Sequence, residues 1–386
     1  MTSLVGSTGA DLSTLVTLTK DVFIGGNTGD DAIITQLGTG NNNLTNWDIR
    51  MGGGDDTITT NDTFLNSEIT LDGLTAANDG NDTYTGGANL ILNSDIRAMG
   101  GNDVLNGLAL TNSTVNGNAG VDSITFTGSN TSTIYGGQGI DTIVNTATAL
   151  GNSTAMNISG NKGADNITLL AGGFSGEIYG GKEGDVINVA AITKADTTAK
   201  ALTDTGVTLS GDIGADAITG SRGVDTIFGG DGADSINGTL GADLITMGTG
   251  RDVLTTVQGA VGAGIGQMVA GTNVGFVTLN DFNASTSATA ANGDTIITST
   301  ATTTVTTNAA AASAGVSLQA DLVANAGGMA AAGDIDTVTI TGAVAWAGTY
   351  ILVEQAGDNA FGATDSAFKS SSIANVTQAN LANFTN

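Results

Sequence analysis

The chain of 386 residues has no cysteine, no histidine and no proline. Without cysteine there is no disulfide and no thiol chemistry, and without cysteine or histidine there is no zinc centre of the usual kind. A serine nucleophile would have no imidazole to activate it. Positive charge is scarce as well: 10 Lys and Arg stand against 37 Asp and Glu, a net charge of −27. Such a surface repels nucleic acid and anionic lipid, so neither is expected as a partner. Aromatic residues make up only 4%, which predicts a thin core lined by Ile, Leu and Val. No apolar run reaches the roughly 18 residues of a membrane span, so no membrane insertion is expected. The opening stretch MTSLVGSTGADLSTLVTLTK lacks a basic region followed by an apolar core and does not read as a signal peptide.

Glycine, in contrast, is abundant at 59 residues. High glycine with neither proline nor a collagen period argues for tightly turned β structure. Much of it belongs to one nine-residue word, clearest in Gly117-Asn118-Ala119-Gly120-Val121-Asp122-Ser123-Ile124-Thr125. Further copies run from Gly136 to Val144, Gly160 to Thr168, Gly211 to Thr219 and Gly229 to Asn237. A fixed word repeated in this way marks a stacked repeat architecture.

The word has a chemical reading. Its glycines permit positive φ, so a short loop can turn several carbonyls inward. The aspartate adds a hard anionic oxygen, and carbonyls plus carboxylates suit Ca2+, which takes six to eight oxygen ligands. The aliphatic residue two places after the aspartate starts a short strand and points inward. On these residues the word resembles the glycine-rich nonapeptide of RTX (repeats-in-toxin) proteins, over roughly residues 24 to 255. The resemblance implies an all-β fold, a right-handed parallel β-solenoid or β-roll of RTX type, that binds several calcium ions between stacked loops.

The loop aspartates are Asp31, Asp56, Asp82, Asp103, Asp122, Asp141, Asp165, Asp185, Asp216, Asp225, Asp234, Asp243 and Asp252. The word's second glycine accompanies most of them, at Gly29, Gly54, Gly80, Gly101, Gly120, Gly139, Gly163, Gly214, Gly223, Gly232, Gly241 and Gly250. Aspartates and glycines together form the candidate metal-ligating set. Successive aspartates are 25, 26, 21, 19, 19, 24, 20 and 31 residues apart, then 9, 9, 9 and 9.

In the long-gap part, the aliphatic residues flanking each loop fall nine apart: Ile24/Ile33, Ile49/Ile58, Ile96/Leu105, Val115/Ile124, Ile134/Ile143, Ile158/Ile167, Ile178/Ile187 and Leu209/Ile218. The loop ending at Tyr84 is the exception, with Thr75 in the expected place. The return path varies from 10 residues (Leu105 to Val115) to 22 (Ile187 to Leu209) and is rich in Asn, Ser and Thr. Each coil therefore reads as strand, metal loop, strand and polar turn, with one edge held to constant length by the metal. After Asp216 both edges carry loops, so Asp225 and Asp243 are expected on one side and Asp216, Asp234 and Asp252 on the other. Two copies depart from the word. Glu183 replaces the second glycine before Asp185, which leaves two readings: a loop without calcium, or Glu183 itself as a ligand. Met51 and Met247 replace the first glycine; that position offers mainly a carbonyl, so their loops are expected to survive.

Three regions follow. Residues 1–23 form an N-terminal cap or assembly segment in which Leu12, Leu15, Val16 and Leu18 could make a first strand. Residues 24–255 form the calcium-binding solenoid, with long coils to about 209 and a two-sided roll over 211–255. Residues 256–386 form a smaller β-rich domain. In it, Thr278 to Phe282 and Gly293 to Ile297 are similar to the strand pair that follows RTX repeats, and a short helix is expected around Val316 to Val323. Strands are expected at Thr337 to Ile340 and Thr349 to Val353, with Trp346 and Tyr350 in the core. The end Asn380 to Asn386 resembles an uncleaved type I secretion signal, which implies a secreted, extracellular or cell-surface protein. There is no HExxH or GxSxG motif, and the repeats begin too early to leave room for a catalytic domain, so no enzyme is expected. The expected function is structural, with copies of itself as partners in a surface layer or filament. The alternative is a calcium-dependent adhesin whose long returns near Asn145–Ser159 and Asn188–Thr208 meet a cell-surface glycan.

Overall fold

The fold comes from a computed structural model, which describes residues 2–5, 12–15, 22–26, 28–35, 43–72, 80–87, 90–146, 153–170, 174–190, 205–221, 223–238, 243–255, 278–279, 295–297, 305–307, 311–312, 335–341, 348–353, 366–370 and 384–385. Among them there is no helix. The chain divides into two compact units, Met1–Val186 and Ile187–Asn386.

In the first unit two parallel ladders face each other. One stacks Thr2–Val5, Val22–Gly25, Asp48–Arg50, Glu68–Thr70, Asp95–Arg97, Thr114–Ala119, Thr133–Gln138, Ser153–Lys162 and Phe174–Lys182. The other stacks Leu12–Leu15, Ala32–Thr35, Thr57–Thr60, Thr83–Gly86, Val104–Thr111, Ser123–Asn130, Thr142–Asn145 and Asn166–Leu169. Register is set by the inward residue of each short strand. Ile24, Ile49, Ile69, Ile96, Val115, Ile134, Ile158 and Ile178 align in the first ladder, against Ile33, Ile58, Tyr84, Leu105, Ile124, Ile143 and Ile167 in the second. None of them is more than 6% exposed. A one-residue slip would turn a whole strand inside out, and each buried aliphatic contributes about 1.5–3 kcal/mol.

The third coil departs from the nine-residue spacing. Ile69, not Thr75, holds the place between Ile49 and Ile96. The path from Ile69 to Tyr84 is therefore longer than in the other coils; Thr75 lies outside the described residues. The return path is also more ordered than a polar turn. Asn43–Thr45, Thr63–Leu65 and Leu90–Leu92 form a further parallel row, with Leu44, Phe64, Ile91 and Leu110 buried in register. In the Asp103 coil this row merges with the second ladder as one strand, Val104–Thr111, with irregular register near Leu108. Trp47 is buried at the turn and meets Phe64 edge-on at 6.1 Å between centroids.

The second unit repeats the arrangement with shorter coils. Thr205–Ile213, Val224–Asp231, Leu244–Thr249 and Thr278–Leu279 form one ladder. Ala217–Thr219, Ser235–Asn237, Val253–Thr255 and Thr295–Ile297 form the other. Leu209, Ile227 and Ile245 face Ile218, Ile236 and Leu254, all buried. The strands at Thr278–Leu279 and Thr295–Ile297 thus continue separate ladders and do not pair with each other. Beyond them Ile335–Thr341, Gly348–Val353 and Ser366–Ser370 pair antiparallel, with Tyr350 buried at 1% exposure. Both strands expected at 337–340 and 349–353 are present. The helix expected at 316–323 and Trp346 lie outside the described residues.

Candidate metal centre

Most loop aspartates are locked to the preceding coil. In the first unit the backbone N–H of Asp31 donates to Oδ1 of Asp56, that of Asp56 to Asp82, and so on through Asp103, Asp122, Asp141, Asp165 and Asp185, at 2.7–2.9 Å. The second unit has two such rows. Asp216, Asp234 and Asp252 are linked on one edge, and Asp225 and Asp243 on the other, at 2.9–3.0 Å. The two-edge alternation expected from the nine-residue spacing is what the fold builds.

These bonds use one carboxylate oxygen. The other, Oδ2, is buried and accepts no hydrogen bond from the protein in Asp56, Asp82, Asp103, Asp122, Asp141, Asp165, Asp234 and Asp243. An ionised carboxylate in that state costs several kcal/mol, so a proton or a cation is required. The surroundings favour a cation. A Cβ placed on Gly117 would fall 2.2 Å from Oδ2 of Asp122 and 2.5 Å from the carbonyl oxygen of Gly136 in the next coil. On Gly211 it would fall 2.2 Å from Oδ2 of Asp216 and 2.5 Å from the carbonyl oxygen of Gly229. The first glycine of the word thus leaves a small cradle between its own aspartate and a carbonyl one coil on. Among the described residues no three acidic or His/Cys side chains gather at one point. An ion held in such cradles would take carboxylate from successive loops and complete its shell with backbone carbonyls. That all-oxygen, loosely arranged donor set fits calcium, which supplies positive charge to the row.

The second glycine is needed for a different reason. Gly120 has φ +132°, and a Cβ there would lie 1.5 Å from the carbonyl oxygen of Gly101; at Gly232, with φ +145°, the distance to the Gly214 oxygen would be 1.6 Å. Most of the second-glycine set stacks in this way; Gly241 lies outside the described residues. Glu183 occupies the same position with φ 72°, and its Oε2 accepts the N–H of Gly163 at 2.9 Å. Met51 and Met247 behave as glycine does at the carbonyl. A Cβ on Gly26 would fall 1.6 Å from the Met51 oxygen, and one on Gly229 would fall 2.1 Å from the Met247 oxygen, while both methionine side chains are buried in the core.

The rows are electrostatically loaded. Burial pushes the carboxyl of Asp56 up from 3.8 to about 7, Asp82 to about 8 and Asp103 to about 8. The donated N–H bonds oppose this and the neighbouring aspartates add to it. Burial likewise lifts Asp165 to about 7, Asp122, Asp225 and Asp234 to about 6, and Asp243 to about 9; Asp141 moves in the same direction. Asp225 differs in its partners. Ser221 donates its N–H to Oδ2 at 2.6 Å and its hydroxyl to Oδ1 at 2.7 Å, and Val207 donates its N–H to Oδ1 at 2.9 Å. Its carboxylate therefore has less need of a cation than that of Asp234 or Asp243.

Two features escaped the reading of the sequence. Asp72 is buried at 1% exposure and its charge raises Asp56, Asp82 and Asp103 alike. It sits outside any nine-residue word, so spacing could not find it. On the opposite edge a serine row mirrors the aspartates. The N–H groups of Trp47, Ser67, Ser94 and Ser113 donate to the hydroxyls of Ser67, Ser94, Ser113 and Ser132 at 2.9–3.2 Å. Beside it Asn46, Asn66, Asn93 and Asn112 all take positive φ, and Asn112 and Asn93 each donate a side-chain amide to the asparagine before, at 2.8 and 3.2 Å. The signal was present as a recurring Asn-Ser pair, at Asn66-Ser67, Asn93-Ser94 and Asn112-Ser113, before three of the aliphatic strands.

Comparison with known proteins finds the family model of the RTX calcium-binding nonapeptide repeat (4 copies) over residues 210–245. No curated protein matches the chain. The matched stretch holds Asp216, Asp225, Asp234 and Asp243, and the same stacked aspartate rows and carbonyl cradles recur in the first unit, outside the match. Nonapeptide words turning at the edges of a parallel β-solenoid, with rows of buried carboxylates that need cations, identify RTX calcium-binding nonapeptide repeats in this chain, stacked as a β-roll that binds several calcium ions.

Proposed function

We propose that the chain is an exported, calcium-stiffened structural protein whose copies assemble into a surface layer or an extracellular filament. One observation carries this reading. Thr2–Val5 and Leu12–Leu15 begin the two ladders of the first unit and, among the described residues, each pairs on one side only. An edge strand is a template for another chain, and a heterologous contact that does not close generates polymers. Export fits the chemistry of the rows: where calcium is scarce the buried carboxylates oppose folding, and where it is plentiful binding drives it. Electron microscopy of the purified protein in millimolar calcium, with and without chelator, tests the reading. Ordered sheets or fibres that vanish on chelation are expected; dispersed single particles in calcium would refute it.

A further inference from the structure

On the metal-loop edge of the first unit the outward positions do not repeat as the inward ones do. The residue before each loop aspartate forms an outer row of Asp30, Asp55, Asn81, Asn102, Val121, Ile140, Ala164 and Gly184. Its early members are tied coil to coil. The N–H groups of Asp55, Asn81, Asn102 and Val121 donate to the side-chain Oδ1 of Asp30, Asp55, Asn81 and Asn102 at 2.8–3.0 Å. From Val121 onward the row is apolar, with Val121 53% and Ile140 58% exposed. Three residues before the aspartates runs a parallel row in register, Ala119, Gln138, Lys162 and Lys182. It ends in two exposed lysines.

Neither feature helps the unit fold. Like charges directly in register on neighbouring strands are destabilising, and among the described residues neither lysine makes an ion pair. Exposed aliphatics on consecutive coils are an unused apolar surface. Their placement becomes useful if the edge meets a copy of itself. Counted in coils, Asp30 lies in the first and Lys182 in the eighth, Asp55 in the second and Lys162 in the seventh. Both pairs share one midpoint, between the coils of Asn102 and Val121.

We propose that two copies of this chain pair along this edge, antiparallel about a two-fold axis at that midpoint. Asp30 and Asp55 of each copy face Lys182 and Lys162 of the other. A single axis satisfies both charge pairs, as an isologous contact requires. At the centre the two Val121 side chains lie one coil step apart, ~4.8 Å along the edge. Because metal loops form this edge, the pairing needs the calcium-loaded fold. It does not need a layer or filament, since a two-fold contact closes on itself.

Sedimentation velocity of the full chain in millimolar calcium, at tens of micromolar protein, tests the proposal. The parent is expected to show a monomer–dimer equilibrium. Lys162→Glu with Lys182→Glu should weaken it by at least about tenfold. Asp30→Lys with Asp55→Lys should weaken it as much, although that change makes the chain four charges less negative and eases general repulsion. All four exchanges together should restore the parent constant to within about threefold. Asp30→Asn with Asp55→Asn keeps the coil-to-coil bonds that Asn81 and Asn102 make, and should still weaken pairing several-fold. The calcium-saturated far-UV spectrum confirms that each variant is folded. A parent that stays monomeric, a lysine-bearing Asp30/Asp55 variant that pairs as well or better, or a four-fold exchange without rescue would overturn the proposal. Layers or fibres formed by non-pairing variants would leave the assembly reading standing while this contact is tested alone.

Discussion

Protons should substitute for calcium. Every resolved shift on the aspartate rows is upward, with burial the first cause: in the first unit Asp56 and Asp165 rise to about 7, Asp82 and Asp103 to about 8, and Asp122 to about 6. A carboxyl whose pKa is higher folded than unfolded favours folding below its unfolded value, near 3.8. That contribution is lost as pH rises through the folded value. Each factor of ten in proton affinity is about 1.4 kcal/mol. The lift of Asp56 thus corresponds to on the order of 4 kcal/mol, and solvent screening at the loop edge brings the working figure to ~2 kcal/mol. The other aspartates of the row shift the same way but share their mutual repulsion, so their contributions do not simply add; even two or three of them are a large share of a domain's stability. The metal-free protein should therefore gain β structure as pH falls from about 9 to about 5. Calcium, which needs the carboxylates ionised, should act best at the alkaline end. Far-UV circular dichroism of calcium-stripped protein across this range, kept above the pI of 4.1 to avoid precipitation, reads the effect. Metal-free protein equally folded at pH 5 and pH 9, or better folded at pH 9, would refute the reasoning.

Other expectations follow from single positions. Asp141→Asn removes one charge from the row but keeps an oxygen for the Asp122 N–H; it should raise the calcium concentration at the folding midpoint several-fold, as seen in a calcium titration. Gly139→Ala forces a Cβ to within 1.7 Å of the Gly120 oxygen at φ +129°; a loss of more than about 2 kcal/mol in calcium-saturated urea unfolding is expected. Glu183→Gly relieves a left-handed residue but removes the oxygen that accepts the Gly163 N–H; the two effects oppose, so stability in calcium-saturated urea unfolding should stay within about 1 kcal/mol of the parent. Ser113→Ala leaves the Ser94 N–H without its acceptor and should cost about 1–3 kcal/mol, with calcium affinity unchanged because the serine row lies on the other edge.

Residues that repeat at fixed spacing announced themselves in the sequence. Ile134 and Ile143 sit nine apart because a metal loop of one length separates them, so the inward ladders and aspartate rows could be read directly. What escaped lies where the chain breaks that spacing or where geometry depends on stacking. In the third coil extra residues enter the loop edge, so Thr75 occupied the nine-residue place while Ile69 holds the register. Asp72, displaced by the same insertion, belongs to no word yet reaches its neighbours through space. The Asn–Ser edge read as polar composition, because a hydroxyl accepting an N–H one coil back is visible only once coils are stacked. Leu44, Phe64 and Ile91 came from return segments of unequal length, which hid their common row.

The central claim is that divalent cations hold the loop edges together, and stripping them is the most direct test. Far-UV circular dichroism of the full chain at neutral pH, recorded in millimolar calcium, after exhaustive chelation and after calcium is restored, should show a parallel-β spectrum that collapses and then returns. A spectrum unchanged by chelation would contradict the account.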